Sequence, residues 1–275
     1  MAIITISHEM GAGGSEIGSA LARRLGYRYV DQELISEAAR RYGLIEEKLS
    51  HLDETKPSLF ERFDVETRRY ITVIQTVLYE FADDDNVVLM GRGGQWLLRG
   101  IPHVLRIRVM APFELRVKRM LKKMAGQMGE TANLRSITEM VRRDDTEKAG
   151  RMRYLYDEDL SDPALYDLVI NTEKLPSEAF VEIIAGLVTR PELGTSAAGR
   201  QLVADRALGS QAQVALATHP ETRKYRVSVE AKQGVVTLEG TAALDRAAEV
   251  VRSCPGVVAV KIQQLEVPPI PPFVA

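Results

Sequence analysis

The residues best suited to chemistry stand near the start of the chain, in Gly11-Ala12-Gly13-Gly14-Ser15-Glu16-Ile17-Gly18. A β-branched run, Ile3-Ile4-Thr5-Ile6, leads into them, and a helical pattern follows at once. Glycines let backbone N–H groups close on a phosphate, and a helix N-terminus adds partial positive charge, so this order of elements builds an anion site. Ser15 occupies the place of a helix N-cap or a metal-binding hydroxyl. Two phosphate-loop grammars compete. The dinucleotide pattern G-x-G-x-x-G fails at its third glycine, where Glu16 stands. The mononucleotide pattern G-x-x-x-x-G-K-[ST] fits with Gly13 as its second glycine; His8 then replaces the first glycine, and Gly14 replaces the lysine.

A second constellation is cationic. Arg116 and Arg119 stand three apart and share a helix face. Beyond them runs Arg142-Arg143-Asp144-Asp145-Thr-Glu-Lys148-Ala-Gly-Arg151-Met-Arg153, arginines and a lysine interrupted by carboxylates. Phosphoryl transfer needs positive charge around three equatorial oxygens more than it needs a strong nucleophile, and mobile cations supply that. A solvated face with i,i+4 pairs such as Asp144–Lys148 is the plainer reading of such a pattern. The phosphate loop upstream tips the balance toward phosphoryl chemistry.

These residues need a scaffold, and the hydropathy pattern supplies one. Strands are predicted at Ala2–Ser7, Tyr27–Val30, Asn86–Met90, His103–Met110 and Leu168–Asn171. Helices fall between them: Ser15–Leu25, a helical stretch to Ala82 broken at Pro57, a basic helix from Pro112, and Ser177–Leu187. Within 65–81, Ile71, Ile74, Leu78 and Phe81 share one face. Short apolar strands alternating with helices predict an α/β fold with a parallel five-stranded sheet covered on both faces. Ligands then bind beyond the strands' carboxyl ends, where the glycine loop, Asp31 and Gly91-Arg92 all fall.

Gly186–Gly199 shifts to Gly, Pro, Ser, Thr and Ala, and 191–199 reads as a linker without a feature that fixes an angle. A helix over Arg200–Ala217, a hairpin of Tyr225–Glu230 and Val235–Glu239, a helix over Ala242–Ser253 and a strand over Val257–Val267 make a small α-β-β-α-β unit at 200–267. The tail at 268–275 is proline-rich and reads as extended.

Composition narrows the partners. The chain has 275 residues and a formal net charge of −2, so nothing electrostatic favours nucleic acid or an anionic membrane. Cys254 is the only cysteine, which excludes an intrachain disulfide. No apolar run approaches the roughly 18 residues of a membrane span, and the glycine loop begins too early for a signal peptide's apolar region, so cytoplasm is the expected compartment.

The glycine loop, Tyr29-Val-Asp31-Gln-Glu-Leu-Ile, Val88-Leu-Met-Gly91-Arg92-Gly93, the arginine-rich segment and Leu168-Val-Ile-Asn171-Thr172 together resemble the cytidylate kinase-like branch of the nucleoside monophosphate kinases over about residues 1–190. Residues 200–267 are similar to BON domains, through Gly234-Val-Val-x-Leu238-x-Gly240 and Pro255-Gly256-Val257-x-x-Val260. The first resemblance implies a P-loop fold with a helical lid and a monophosphate-binding region. It also implies transfer of the γ-phosphoryl group of ATP, with Mg²⁺, to CMP or dCMP. Gly11, Ala12, Gly13 and Gly14 would hold the donor phosphates, and Ser15 the magnesium. Asp31, Arg68, Arg69 and Arg92 would face the acceptor; Arg116, Arg119, Arg143 and Lys148 would be lid cations, oriented by Asp145. Three positions depart from cytidylate kinases: Gly14 for the loop lysine, Met90 for the acid before Gly91-Arg92, and Lys148 for an arginine. Lysine lacks arginine's bidentate fork, and Arg151 or Arg153 stands nearby to compensate.

Two functions stay open: an ATP-dependent pyrimidine monophosphate kinase with a regulatory module, and a catalytically degenerate nucleotide sensor signalling through the BON-like unit. A dehydrogenase is disfavoured by Glu16. BON domains are associated with phospholipid and membrane-protein interactions, but residues 198–275 carry a net charge of only +2, so a protein partner is expected rather than a membrane. His8, His51, His103 and His219 lack metal-ligand spacing, and Met120, Met124 and Met128, like Trp96, read as packing residues. Tyr154 and Tyr156 suit base stacking and sheet packing equally.

Overall fold

The computed structural model describes residues 2–44, 65–128 and 133–265. Pro57, His51 and the proline-rich tail lie outside them. Five strands, β1 (Ile3–His8), β2 (Arg28–Val30), β3 (Val87–Met90), β4 (Val104–Met110) and β5 (Leu168–Asn171), form an all-parallel sheet in the order β2-β3-β1-β4-β5. The chain therefore leaves β1 toward one edge and later returns to build on its other side. The crevice at the carboxyl end of β1 is a topological switch point, the usual ligand position in such sheets.

Alternation along β1 divides the core. Ile4 and Ile6 pack with Ile17, Leu21, Ile184 and Val181 of the helices α1 (Gly14–Leu25) and α7 (Ser177–Val188). On the opposite face Ile3 packs with Leu34, Ile74 and Leu78, from α2 (Glu33–Tyr42) and α3 (Val65–Asp83). The period of two sends successive residues to opposite faces, so both layers of helix find apolar surface. Ile71, Ile74, Leu78 and Phe81 are all buried, as their spacing predicts. A short α4 (Gly94–Leu97) follows β3, and the lid is built from α5 (Phe113–Met128) and α6 (Leu134–Tyr156). Val117, Ile137 and Val141 bury together where α5 and α6 meet, with Met120 and Met124 against them.

The last unit is a three-stranded sheet, β6 (Val227–Lys232), β7 (Val235–Gly240) and β8 (Ala259–Gln264), with β6–β7 antiparallel and β7–β8 parallel. It packs on α8 (Ala197–Thr218) and α9 (Leu244–Arg252). The expected linker is mostly structured: Pro191–Leu193 is a 3₁₀ turn, and Ser196 caps α8 by accepting from the Gly199 N–H at 3.0 Å. The angle between the two units is also set. Val203, Ala207 and Val214 of α8 are buried in the same core as α3, while Ala212 and Leu216 face the small sheet. Each buried valine contributes about 1.5–3 kcal/mol. Thr76 and Ser210 share a 2.6 Å hydroxyl contact, and Gln211 donates to Glu80 at 3.0 Å, across the same junction.

Candidate active site

Two cavities meet at the carboxyl end of β1. The glycine loop arises there because Gly11 and Gly13 take φ of 80° and 87°, the left-handed region that L-residues with side chains rarely adopt. Gly13 is the N-cap of α1, so the loop hands directly to a helix N-terminus. Gly14 has a different reason to be glycine: a Cβ there would collide with the His8 side chain. The histidine in the first-glycine position thus excludes a lysine from the usual lysine position.

The larger cavity, about 990 Å³, lies over the loop and is lined by Gly11, Gly13, Gly14 and Ser15, with Arg119, Lys122, Lys123 and Lys148 above. The second, about 380 Å³, is lined by Asp31, Gln32, Arg92, Gln95, Arg151 and Tyr156, among others. His8, Met10, Ser15, Gln32 and Lys148 line both. Lys148 reaches over the loop: its ammonium donates to the His8 carbonyl at 3.2 Å and pairs with Asp144 at 2.9 Å. Burial, and then the Lys148 charge, push the His8 imidazole below its ordinary value, so it is neutral near pH 7.

In the smaller cavity Arg92 donates to Asp31 at 2.9 Å, and the Tyr29 phenol donates to the same carboxylate at 3.2 Å. Burial, and then Asp31, push that phenol up to about 12. Tyr156 closes the other wall, its ring packed over Gly93 and its hydroxyl accepting from Gln75 at 3.1 Å.

Residues 3–174 match the model of the cytidylate kinase-like family. The chain belongs to this family. Residues 204–269 match the model of the BON domain. A cytidylate kinase of Staphylothermus marinus is 31% identical over 192 residues, covering 69% of this chain and 98% of that protein. One of Methanocaldococcus jannaschii is 31% identical over 189 residues, covering 68% and 97%. Among solved structures, an uncharacterized protein from Eubacterium ventriosum superposes with a TM-score of 0.54 at 16% identity, covering 69% of this chain and all of that one. That likeness bears on the fold alone.

Within the kinase-like unit the expected site residues separate into groups. Gly11, Gly13, Gly14, Ser15, Arg119 and Lys148 line the loop cavity, and Asp31 and Arg92 the smaller one. Ala12 is buried, its carbonyl accepting from the Thr172 hydroxyl at 2.7 Å. Arg116 and Asp145 line neither cavity, and Asp145 orients Arg116 instead of meeting a ligand. Arg116 is 5% exposed and holds Asp145 bidentately at 3.0 and 2.8 Å, while its Nε lies 3.3 Å from Glu9. It also donates to the Met10 and Ala111 carbonyls, so it ties the loop to α5 and α6. Each of its three nitrogens has a partner within the protein. Arg143 points to solvent on α6 and lines neither cavity. Arg68 and Arg69 also depart from expectation: they lie at the N-terminal end of α3, in a third cavity against the BON-like unit. Of the two compensating arginines, Arg151 lines the smaller cavity, whereas Arg153 is exposed and faces Asp159 at 3.6 Å. Trp96 packs against Tyr156, with 6.0 Å between ring centroids, and lines neither cavity.

Sequence reasoning overlooked four contributors. Thr172 joins Arg119 (2.8 Å) to the loop carbonyl of Ala12; its signal is a hydroxyl just past the end of β5. Glu9, an acid at the edge of the glycine loop, receives Arg108 and Arg116. Lys122 and Lys123 add charge to the loop cavity, and only their helical register with Arg119 could have placed them there. No helix among the described residues is long and apolar enough to cross a membrane.

Proposed function

We propose that this chain transfers the γ-phosphoryl group of ATP to a pyrimidine nucleoside monophosphate, CMP or dCMP. The observation that carries this reading is the junction of the two cavities, where the main-chain loop, the Ser15 hydroxyl and the Lys148 ammonium converge. A donor's triphosphate fits the loop cavity and an acceptor fits the smaller one, so the reacting oxygens meet under Lys148. Proximity of this kind removes much of the entropic barrier, and a fixed cation stabilises the charge that develops. The cytidylate kinase relatives support the same chemistry.

Lys148 answers the missing loop lysine. Its ammonium comes from the lid instead of from the loop, and it reaches the carbonyl of the residue standing in the first-glycine position. Arg119, Lys122 and Lys123 supply further charge to the donor's phosphates. The Asp31–Arg92 pair suits a cytosine ring, whose amino group donates and whose ring carbonyl accepts. Magnesium fits an oxygen donor such as the Ser15 hydroxyl, which lines both cavities, the preference of a hard cation that keeps most of its waters. Bound there by Ser15, it would neutralise phosphate charge. The BON-like unit, packed against α3, would regulate this site or recruit a protein partner.

A coupled assay of ADP release over the common monophosphates tests the reading. CMP- or dCMP-dependent release that requires magnesium, and that falls sharply in Ser15→Ala, is the expected outcome. The specific observation favouring the sensor reading is Gly14. Nucleotide-dependent thermal stabilisation with no ADP release would establish that reading instead.

A further inference from the structure

We infer that the seam between the kinase-like unit and the BON-like unit is a second nucleotide site, recognising a polyphosphate through four arginines. The seam holds a cavity of about 790 Å³, large for inorganic phosphate and within the usual range for small-molecule sites. Arg68 and Arg69 enter from α3, and Arg223 and Arg226 from the turn between α8 and β6. Among the described residues Glu239 is the only carboxylate that lines it. Arg69 has Glu66 at 3.5 Å; among the described residues no carboxylate pairs with Arg68, Arg223 or Arg226.

Gathering four guanidiniums in one hollow is unfavourable unless an anion joins them. The Nε groups of Arg68 and Arg69 strengthen the point, because both are buried without a hydrogen-bond acceptor among the described residues. Buried donors without partners are costly, and a phosphate oxygen supplies what they lack. Guanidinium forks match phosphate geometry better than ammonium groups do. Tyr154 and Tyr225 line the same cavity, with the Lys224 ammonium 5.2 Å from the Tyr225 ring centroid, so a base held there would lie beside aromatic rings. This combination selects a nucleotide over a bare anion.

The seam is separate from the acceptor cavity. Leu155 alone lines both, and neither Arg68 nor Arg69 lines the smaller cavity. An occupied seam still bears on the lid, since Tyr154, Leu155 and Tyr156 form the last turn of α6 and Gln75 of α3 holds Tyr156. The inference goes beyond the proposed kinase activity and does not depend on it.

Calorimetric titration of the full chain with ATP, and separately with tripolyphosphate, tests the site. Wild type is expected to bind ATP in two classes. Arg223→Glu with Arg226→Glu is expected to weaken one class about a hundredfold, through two lost charge-assisted contacts, and to leave the loop class unchanged. Both arginines are exposed, so the thermal melt should hold; Arg223→Gln with Arg226→Gln is the second variant should the glutamates unfold the chain. Tripolyphosphate should compete for the arginine-dependent class. Identical ATP isotherms in wild type and both variants would overturn the inference. So would arginine-dependent sedimentation with phosphatidylglycerol vesicles alongside an unchanged ATP isotherm, which would assign the seam to a membrane surface. A chain without kinase turnover would still show the second class, so the two readings fail separately.

Discussion

The loop cavity and the seam cavity both collect positive groups, but from different parts of the chain. Over the loop, the glycine-rich main chain and the start of α1 lie beneath Arg119, Lys122, Lys123 and Lys148. In the seam the positive groups are side chains alone, contributed by two units that α8 holds together. A site made of main chain survives the loss of one side chain, so under the proposed function the loop would still hold a phosphate with Gly14 in place of lysine. A site made of side chains is lost with its charges, and it exists only while the two units keep their angle.

The largest expected effect that sharpens this contrast is on turnover. Lys148→Ala should lower the rate about a thousandfold, in the range for losing a transition-state cation, while ATP affinity changes little because the main-chain loop remains. Lys148→Arg should retain most activity, and Gly14→Lys should not restore it, because the new side chain meets His8. Steady-state kinetics of the three variants decide the matter; a Gly14→Lys rescue would break the account of Lys148.

Next in size is the buried strut. Arg116→Met leaves Asp145 and Glu9 without this partner and should cost about 2–3 kcal/mol in urea unfolding, less than a fully buried pair because Asp145 keeps 34% of its side-chain surface exposed. ATP affinity should fall only through the loosened loop. A variant that keeps its stability and loses binding outright would make Arg116 a phosphate ligand after all.

The smallest effect is on stability against pH. Burial pushes both His8 and His103 below their ordinary value. The unfolded chain therefore binds more protons than the folded one below about pH 6.5, so stability is full above that value and falls as the pH drops through the depressed folded values. Melting temperatures between about pH 7.5 and 5.5 should decline on the acid side, less so in His103→Asn. A flat profile would mean that neither ring is held neutral.

Much of the architecture was legible in the residues. The five parallel strands and the α-β-β-α-β unit follow from periods of two and 3.6 and from turn chemistry, which are local properties. Boundaries moved by one to three residues: β1 runs to His8 instead of Ser7, and α8 begins at Ala197 instead of Arg200. The loop was legible for the same reason: its glycines fall within four residues, Gly11 to Gly14, and their conformation is their own. The arginines were harder. Arg116 and Arg119 share a helix face, yet one is buried in a strut and the other lines a cavity, because a long side chain's destination depends on what packs beside it.

By itself the sequence determined the order of elements, the glycine loop and both family likenesses, since each is written in neighbouring residues. The tertiary structure decided what joins residues far apart. It placed Lys148 over His8, carried Arg68 and Arg69 away from the smaller cavity, and docked α8 on α3. The helix α8 shows why: it is rich in small residues and buried on two sides, so it has no single apolar stripe to announce a partner. Periodicity tells how wide a buried face is, and only packing tells what lies against it.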